Sequence, residues 1–235
     1  MMNKSIPISI FAYNFPHKKT QDFIFRILSE GYEISVIYAA NPVKLNIPPS
    51  SVKSKINHIG LIHPEQIAKR FGIRYLVAGH NSEELKSDAR ANSSLAVISG
   101  ARILKAEVID CFPQGIINFH PGIIPYARGL DALFWSVYNN HPLGVTAHLI
   151  DKHIDAGKIL SIGQMKVQSS DTVLDLSERL YELQLDMLPD AINKAVNNAG
   201  YLLDDYGTYN GKMEADLEKK VIEMLPQYVK ANSNG

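Results

Sequence analysis

The sequence predicts a Rossmann-like, doubly wound α/β fold: a mostly parallel sheet with an antiparallel edge, followed by a short C-terminal extension. Two observations carry this expectation. Short runs that are apolar on both faces alternate with amphipathic segments over the first half of the chain, as strands covered by helices on both sides do. Further on, the runs Gly144–Ile150 and Lys158–Val167 are separated by only seven residues. That is too few for a helical crossover, so they read as an antiparallel pair at a sheet edge.

In chain order, Ile6–Ala12 is β-branched and apolar, a first buried strand. Thr20–Glu30 carries Phe23, Ile24, Ile27 and Leu28 at helical spacing, with Gly31 placed to end the helix. Glu33–Ala39 is the second strand, and the proline-rich Asn41–Ser54 a surface loop. Pro64–Phe71 reads as a helix with proline in its first turn and Gly72 after it. Strands follow at Arg74–Ala78 and Leu95–Ser99, with the polar His80–Asn92 between them as a short helix or loop. Leu104–Cys111 is a short helix, Gly115–Phe119 a strand and Leu130–Asn140 a helix in which Phe134 and Trp135 belong to the core. Ser170-Asp171-Thr172 caps a long amphipathic helix reaching Asn197, with a kink or break expected at Pro189. Residues 1–198 thus form one domain, and 199–235 an extension of a turn-rich segment and a last helix, Met213–Val229.

Composition narrows the function classes. Lys plus Arg (24) equals Asp plus Glu (24), so no bulk field recruits nucleic acid or an anionic membrane. No run of apolar residues is long enough to span a bilayer. The N-terminus reads as a first strand rather than a signal peptide. The lone Cys111, set among apolar residues, reads as a buried structural thiol and fits a reducing compartment, so a cytoplasmic location is expected.

The stretch Gly115–Leu160 holds the residues able to do chemistry. Asn118 and His120 break an apolar run, and a strand ending in such a pair carries its side chains into the cleft at the carboxyl edge of the sheet. If Gly115–Phe119 and Gly144–Ile150 are parallel strands joined through the Leu130–Asn140 helix, the right-handed crossover brings His120 and Asp155 to one rim. Histidine accepts a proton near neutral pH, and a carboxylate beside it orients the ring and stabilises its charged form. An asparagine amide donates to an oxygen that becomes negative. No Ser or Cys is adjacent to act as a nucleophile, so the trio suits direct attack of a substrate amine on a carbonyl carbon. The plain alternative is that Asn118 and His120 only close a loop. A metal is the other rival, since His141, His148 and His153 crowd this region. None has zincin or zinc-finger spacing, and no metal is expected. Gly122, Pro125 and Gly129 shape a loop that must pass close to something.

Taken together, Asn118-Phe119-His120-Pro121-Gly122-Ile123-Ile124-Pro125, Arg128-Gly129, Gly144-Val145-Thr146-Ala147-His148 and Asp155-Ala156-Gly157 resemble the formyltransferase family that uses N10-formyltetrahydrofolate, over residues 6–195. The resemblance implies the formyltransferase fold, with 1–198 as its catalytic domain, and N10-formyltetrahydrofolate as formyl donor. It implies Asn118, His120 and Asp155 as catalytic trio: the Asn steadies the oxyanion, the His manages the amine's proton, and the Asp positions the His and an ordered water. Arg102, Ile103 and Leu104 resemble the loop whose backbone holds the pterin, and the Asp155 loop, with His153 and Ile154, is expected to line the same pocket.

Within the family, the methionyl-tRNA branch carries a C-terminal barrel for which the residues after Asn197 are too few, and neutral charge sits poorly with tRNA. The formyltetrahydrofolate hydrolase branch carries an extra N-terminal domain for which there is no room. The glycinamide ribonucleotide branch has a Gly-Ser-Asn phosphate loop where this chain reads Tyr13–Lys19. The sugar N-formyltransferases remain. Arg128–Trp135 is close to their sequence, and Gly207-Thr208-Tyr209 resembles their tail motif, with Asn210 where a His is common. A turn plus an aromatic plug is the plain reading of that tail. The expected acceptor is a dTDP- or UDP-linked 4-amino sugar, of the kind built into lipopolysaccharide O-antigen. It would enter near Tyr126 and Arg128, with phosphates near His17, Lys18 or Lys19. Glycinamide ribonucleotide or another small amine is the alternative acceptor. A catalytically idle folate- or nucleotide-binding protein is the alternative class. Nucleic acid and membrane partners are not expected; a homodimer through the aromatic C-terminal region is.

Overall fold

The computed structural model describes residues 6–44, 50–52, 57–152 and 155–233. The strands are β1 (Ile8–Tyr13), β2 (Ile34–Ala40), β3 (Arg74–Val77), β4 (Leu95–Ile98), β5 (Ile116–His120), β6 (Arg128–Gly129), β7 (Gly144–Leu149), β8 (Ile159–Gln164) and β9 (Tyr209–Asn210). The helices are α1 (Lys18–Ser29), α2 (Pro64–Phe71), α3 (Glu83–Asn92), α4 (Ala106–Ile109), α5 (Ala132–Tyr138), α6 (Val173–Val196) and α7 (Ala215–Asn232). Seven strands form one sheet in the order β3-β2-β1-β4-β5-β7-β8, while β6 and β9 make a separate two-stranded ladder.

Local chemistry explains the elements. Pro64 opens α2 where its missing N–H costs nothing, and Gly72 ends it in the left-handed conformation at φ 67°. Thr172 and Asp175 form a reciprocal capping box at the start of α6. Pro189 neither breaks nor ends α6, which runs unbroken from Val173 to Val196. Proline removes one backbone donor there, and the buried Leu188, Ala191 and Ile192 around it hold the helix against the sheet. The strand expected over Lys158–Val167 is shorter, Ile159–Gln164, and the Met165 N–H still reaches the Leu143 carbonyl in the same antiparallel register.

Strand direction differs from the expectation at one place. Every pairing from β3 to β5 is parallel, but β7 is antiparallel to β5, with Asn118 opposite His148 and His120 opposite Thr146. No parallel crossover joins them. The connecting α5 has seven residues, which at 1.5 Å per residue is about 10 Å of rise, too short to return the chain to the amino edge. The chain therefore re-enters the sheet from the carboxyl edge. The expected antiparallel pair of β7 and the edge strand β8 is present.

Two cores flank the sheet. One packs Phe23, Ile27, Phe119, Phe134, Leu180 and Leu188 from α1, β5, α5 and α6. The other packs Phe11, Tyr38, Leu85, Ala89 and Val108 under α3 and α4, and Cys111 is buried there. The C-terminal extension is stitched onto the domain. β9 pairs with β6, α7 packs on α5, and the Tyr228 hydroxyl donates to the His141 carbonyl at 2.7 Å.

Candidate active site

Alternation along β5 decides which side chains reach the site. Ile117 and Phe119 enter the core beneath α1 and α6, so Asn118 and His120 share the opposite face with Ile116. Their cross-strand partners, His148 and Thr146, lie on that same face. Over β1, β2 and β4 this face is covered by α3 and α4; over the ends of β5 and β7 it is covered instead by the loop 121–128.

That loop is held closely. The Thr146 hydroxyl donates to the Gly122 carbonyl at 2.8 Å and accepts from the Ile124 N–H at 3.1 Å. A side chain at Gly122 would run into the Ala127 carbonyl and the His120 ring. The Ile124–Pro125 bond is cis. Gly129, at φ 100°, is pressed by the Asn210 backbone, and Gly207, at φ 70°, by the Pro125 carbonyl. The tail motif Gly207–Tyr209 is therefore the outer brace of the loop, and Gly129 and Gly207 give the backbone room to close against it.

The trio converges. His120 Nε2 lies 2.6 Å from the Ala127 carbonyl. A carbonyl only accepts, so Nε2 carries the proton in the neutral ring and Nδ1 presents its lone pair. Nδ1 faces Asp155 Oδ2 at 3.6 Å. Asn118 Nδ2 lies 3.5 Å from Asp155 Oδ1, and His148 Nε2 lies 3.3 Å from that amide nitrogen and 3.6 Å from the same carboxylate oxygen. Asp155 sits in the left-handed region at φ 47°, which turns its carboxylate back over β5.

The charges follow from these surroundings. Burial pushes the His120 pKa down, and the Asp155 charge and Ala127 carbonyl only partly counter this, so the ring is neutral at neutral pH. The nearby Lys19 ammonium adds to the lowering. For Asp155, burial pushes the carboxyl up, but contacts with His148, the charge at His120 and the Gly129 N–H outweigh it. The carboxyl lies below the ordinary aspartate value and is ionised. A neutral base beside a fixed carboxylate and an amide donor is able to take a proton as an oxygen opposite becomes negative.

Two cavities open on either side of this cluster. The larger, about 910 Å³, runs along the carboxyl edge between α1 and α6 and is lined by His17, Lys18, Lys19, His120, Asp131 and Tyr181 among others. The smaller, about 200 Å³, lies on the other side against Ala101, Arg102, Ile103 and Leu104, with Asp151 and Lys152 at its rim. Asn118 and Asp155 line both. The smaller recess suits a flat heterocycle: Ile98, Ala101 and Ile150 give apolar contact, while the backbone of 102–104 and the Asp155 carboxylate give polar edges.

Of the residues singled out in the sequence, Asn118, His120 and Asp155 come together, His17 and Lys18 line the large cavity, and Arg102, Ile103 and Leu104 line the small one. Lys18 pairs with Asp22 and lies 4.7 Å over the Tyr181 ring. His153 and Ile154 lie outside the described residues. Tyr126 and Arg128 are not brought into the cavity. Pairing of β6 with β9 turns this strand outward, so the Tyr126 ring lies against His141, and Arg128 donates to the Gly207 carbonyl at 3.3 Å beside Tyr209. Sequence reasoning assigned no role to Thr146 and His148. Both are polar residues in an otherwise apolar strand, the signal that had singled out Asn118 and His120. Among the described residues, no group of His, Cys, Asp and Glu is arranged to hold a metal, and no helix is long and apolar enough to cross a membrane.

Comparison with known proteins identifies the family and the fold. The profile of a family described as "Formyl transferase" matches residues 52–192. A methionyl-tRNA formyltransferase from Borrelia duttonii is 30% identical over 142 residues, 54% of this chain and 46% of that protein. The chain spans about half the length of the curated relatives it matches, 46% to 53% for the Borrelia duttonii and Borreliella afzelii proteins. Among solved structures, a sugar N-formyltransferase from a Shewanella species aligns with TM-score 0.64 at 20% identity, covering 94% of this chain and 87% of that one. A phosphoribosylglycinamide formyltransferase from Anaplasma phagocytophilum aligns with TM-score 0.63 at 17% identity, covering 89% of this chain and all (100%) of that one.

Proposed function

The chain belongs to the formyl transferase family, and from that membership we propose that it transfers a formyl group from N10-formyltetrahydrofolate to the amine of a nucleotide-linked amino sugar. The observation that carries this reading is the pair of cavities sharing Asn118 and Asp155 in their walls. A transfer between two bound molecules needs two sites that meet at the reacting atoms. The smaller recess suits the pterin of the donor, with the backbone of Arg102–Leu104 along its edge. The larger takes the acceptor. At about 910 Å³ it stands near the top of the range for ligand pockets, which favours an acceptor the size of a nucleotide sugar over a small amine.

The bound donor supplies a carbonyl carbon open to attack. His120 Nδ1, its lone pair exposed by the Nε2–H bond to Ala127, takes the proton released as the acceptor amine adds. Asp155 Oδ2, 3.6 Å away, stabilises the imidazolium so formed. Asn118 Nδ2 donates to the carbonyl oxygen as it gains charge. When the tetrahedral intermediate collapses, the bond from that carbon to N10 of the folate breaks and the His120 imidazolium returns its proton to N10. Lys18 and Lys19, on the α1 wall of the cavity, offer positive charge to the acceptor's phosphates.

A transfer assay with N10-formyltetrahydrofolate tests the reading, using a panel of UDP- and dTDP-linked 4-amino sugars with glycinamide ribonucleotide and methionyl-tRNA as controls. Formylation of one nucleotide sugar is the expected result. Turnover of either control alone would move the acceptor to that class and keep the chemistry. Failure to bind the folate would overturn the reading.

A further inference from the structure

The wall of the smaller cavity is an irregular loop, and hydrogen bonds hold it from several sides. Asn81 holds it most directly. Its Nδ2 donates to the Ile103 carbonyl at 3.0 Å and its Oδ1 accepts from the Lys105 N–H at 2.8 Å. One planar amide thus bonds the backbone on both sides of Leu104, as an adjacent strand would. The Tyr13 hydroxyl adds a bond to the Ala101 carbonyl at 2.9 Å, and Arg102 Nη2 one to the Val43 carbonyl at 3.2 Å.

The position of Asn81 is itself fixed. The preceding residue, His80, is 4% exposed, and its Nε2 lies 3.0 Å and 3.1 Å from the carbonyls of Ala12 and Tyr38 in β1 and β2. Its ring packs edge-on against Phe11. The chain from β3 into α3 is therefore pinned to the carboxyl edge of the sheet, and Asn81 projects from that pin onto the loop.

We propose that Asn81 is a positioning residue for the folate donor: it pre-sets the Arg102–Leu104 backbone as the edge against which the pterin binds. This rests on the functional reading above. A loop without regular structure has to be ordered when a ligand binds it, and that ordering subtracts from affinity unless it is already in place. Asn81 supplies the ordering without touching either cavity, so its loss weakens donor binding and leaves the His120 chemistry in place.

Direct titration of the protein with 5-formyltetrahydrofolate, a stable folate that cannot serve in transfer, tests this apart from turnover. For Asn81→Ala we expect binding about tenfold weaker, the effect of losing two backbone-directed hydrogen bonds. The donor KM should rise in parallel, while kcat at saturating donor and the acceptor KM stay within about twofold. Tyr13→Phe, which keeps its ring stacked on Phe15 and loses only the Ala101 bond, should show a smaller shift of the same kind. Should Asn81→Ala fail to fold, Asn81→Asp carries the test, since it keeps the acceptor for Lys105 and loses the donor to Ile103. Binding at wild-type strength in the folded variant would overturn the proposal, as would an equal fall in donor affinity, acceptor affinity and kcat. A wild-type protein that does not bind the folate would instead overturn the functional reading.

Discussion

One face of the sheet is used in two ways. Over β1, β2 and β4 it carries Phe11, Val36, Tyr38 and Ala96, sealed by α3 and α4. Over β5 and β7 the same face carries Asn118, His120, Thr146 and His148, covered by a loop. The change falls where strand direction reverses. A parallel strand is followed by a helix that covers the sheet, whereas the chain entering antiparallel β7 from the carboxyl edge leaves that face to a loop. Polar groups are tolerable there because each meets another across the ladder or in the loop. The apolar half supplies stability, and the polar half supplies a place where water is excluded but charge is not.

The largest test of this contrast is a matched pair. His120→Ala should lower kcat by about 10²–10⁴-fold, the scale of a lost general base, while thermal unfolding stays close to wild type; near-full turnover would remove His120 from the chemistry. Phe11→Ala should do the reverse, costing about 3–5 kcal/mol in denaturant unfolding with kcat per folded molecule preserved. A Phe11 variant that unfolds like wild type would mean the two halves do not divide the work.

A second test sharpens the electrical side. Because burial lowers the His120 pKa below the ordinary histidine value, the neutral base persists through pH 7, and kcat should fall only on the acid side of about 6.5. The Asp155 charge raises the His120 pKa, so Asp155→Asn should move that acid limb to still lower pH while reducing kcat. A limb that stays put would uncouple the pair. Next in size is His148. His148→Phe removes the contact with the Asn118 amide and should cost kcat about tenfold, and His148→Gln, which can accept the same N–H, should recover much of it. Equal loss in both would make His148 a packing residue. The smallest effect belongs to Lys18→Ala: a several-fold rise in acceptor KM with donor KM unchanged, or, if Lys18 serves only Asp22 and Tyr181, no change in either.

Much of this was legible in the residues. Ile6–Ala12 and Glu33–Ala39 read as buried strands because both faces are apolar, and β1 and β2 fall there within a residue or two. Asn118, His120 and Asp155 stood out as polar groups around apolar runs. The direction of β7 was not legible, since Gly144–Leu149 has the same composition in either sense and the length of α5 decides it. The contribution of Thr146 and His148 depends on cross-strand register, which no local pattern encodes. Tyr126 and Arg128 were expected near the acceptor. Arg128 pairs with Tyr209 and the Tyr126 ring lies against His141 instead, and no local pattern encodes which residues so far apart along the chain will pair.

The ladder between β6 and β9 also sets an order of events during synthesis. All seven strands of the main sheet lie before residue 165 and α6 ends at Val196. The sheet and the core around Phe11 and Tyr38 therefore draw only on residues made before β9, whereas the core around Phe119 is completed by Val221, Leu225 and Val229 of α7. The loop that carries Ala127 to His120 gains its outer strand only when Tyr209 and Asn210 emerge, and α7 then adds a further tie when the Tyr228 hydroxyl reaches the His141 carbonyl. The sheet is therefore complete before the loop over His120 receives its outer brace, and the proposed site is fastened later than the scaffold beneath it.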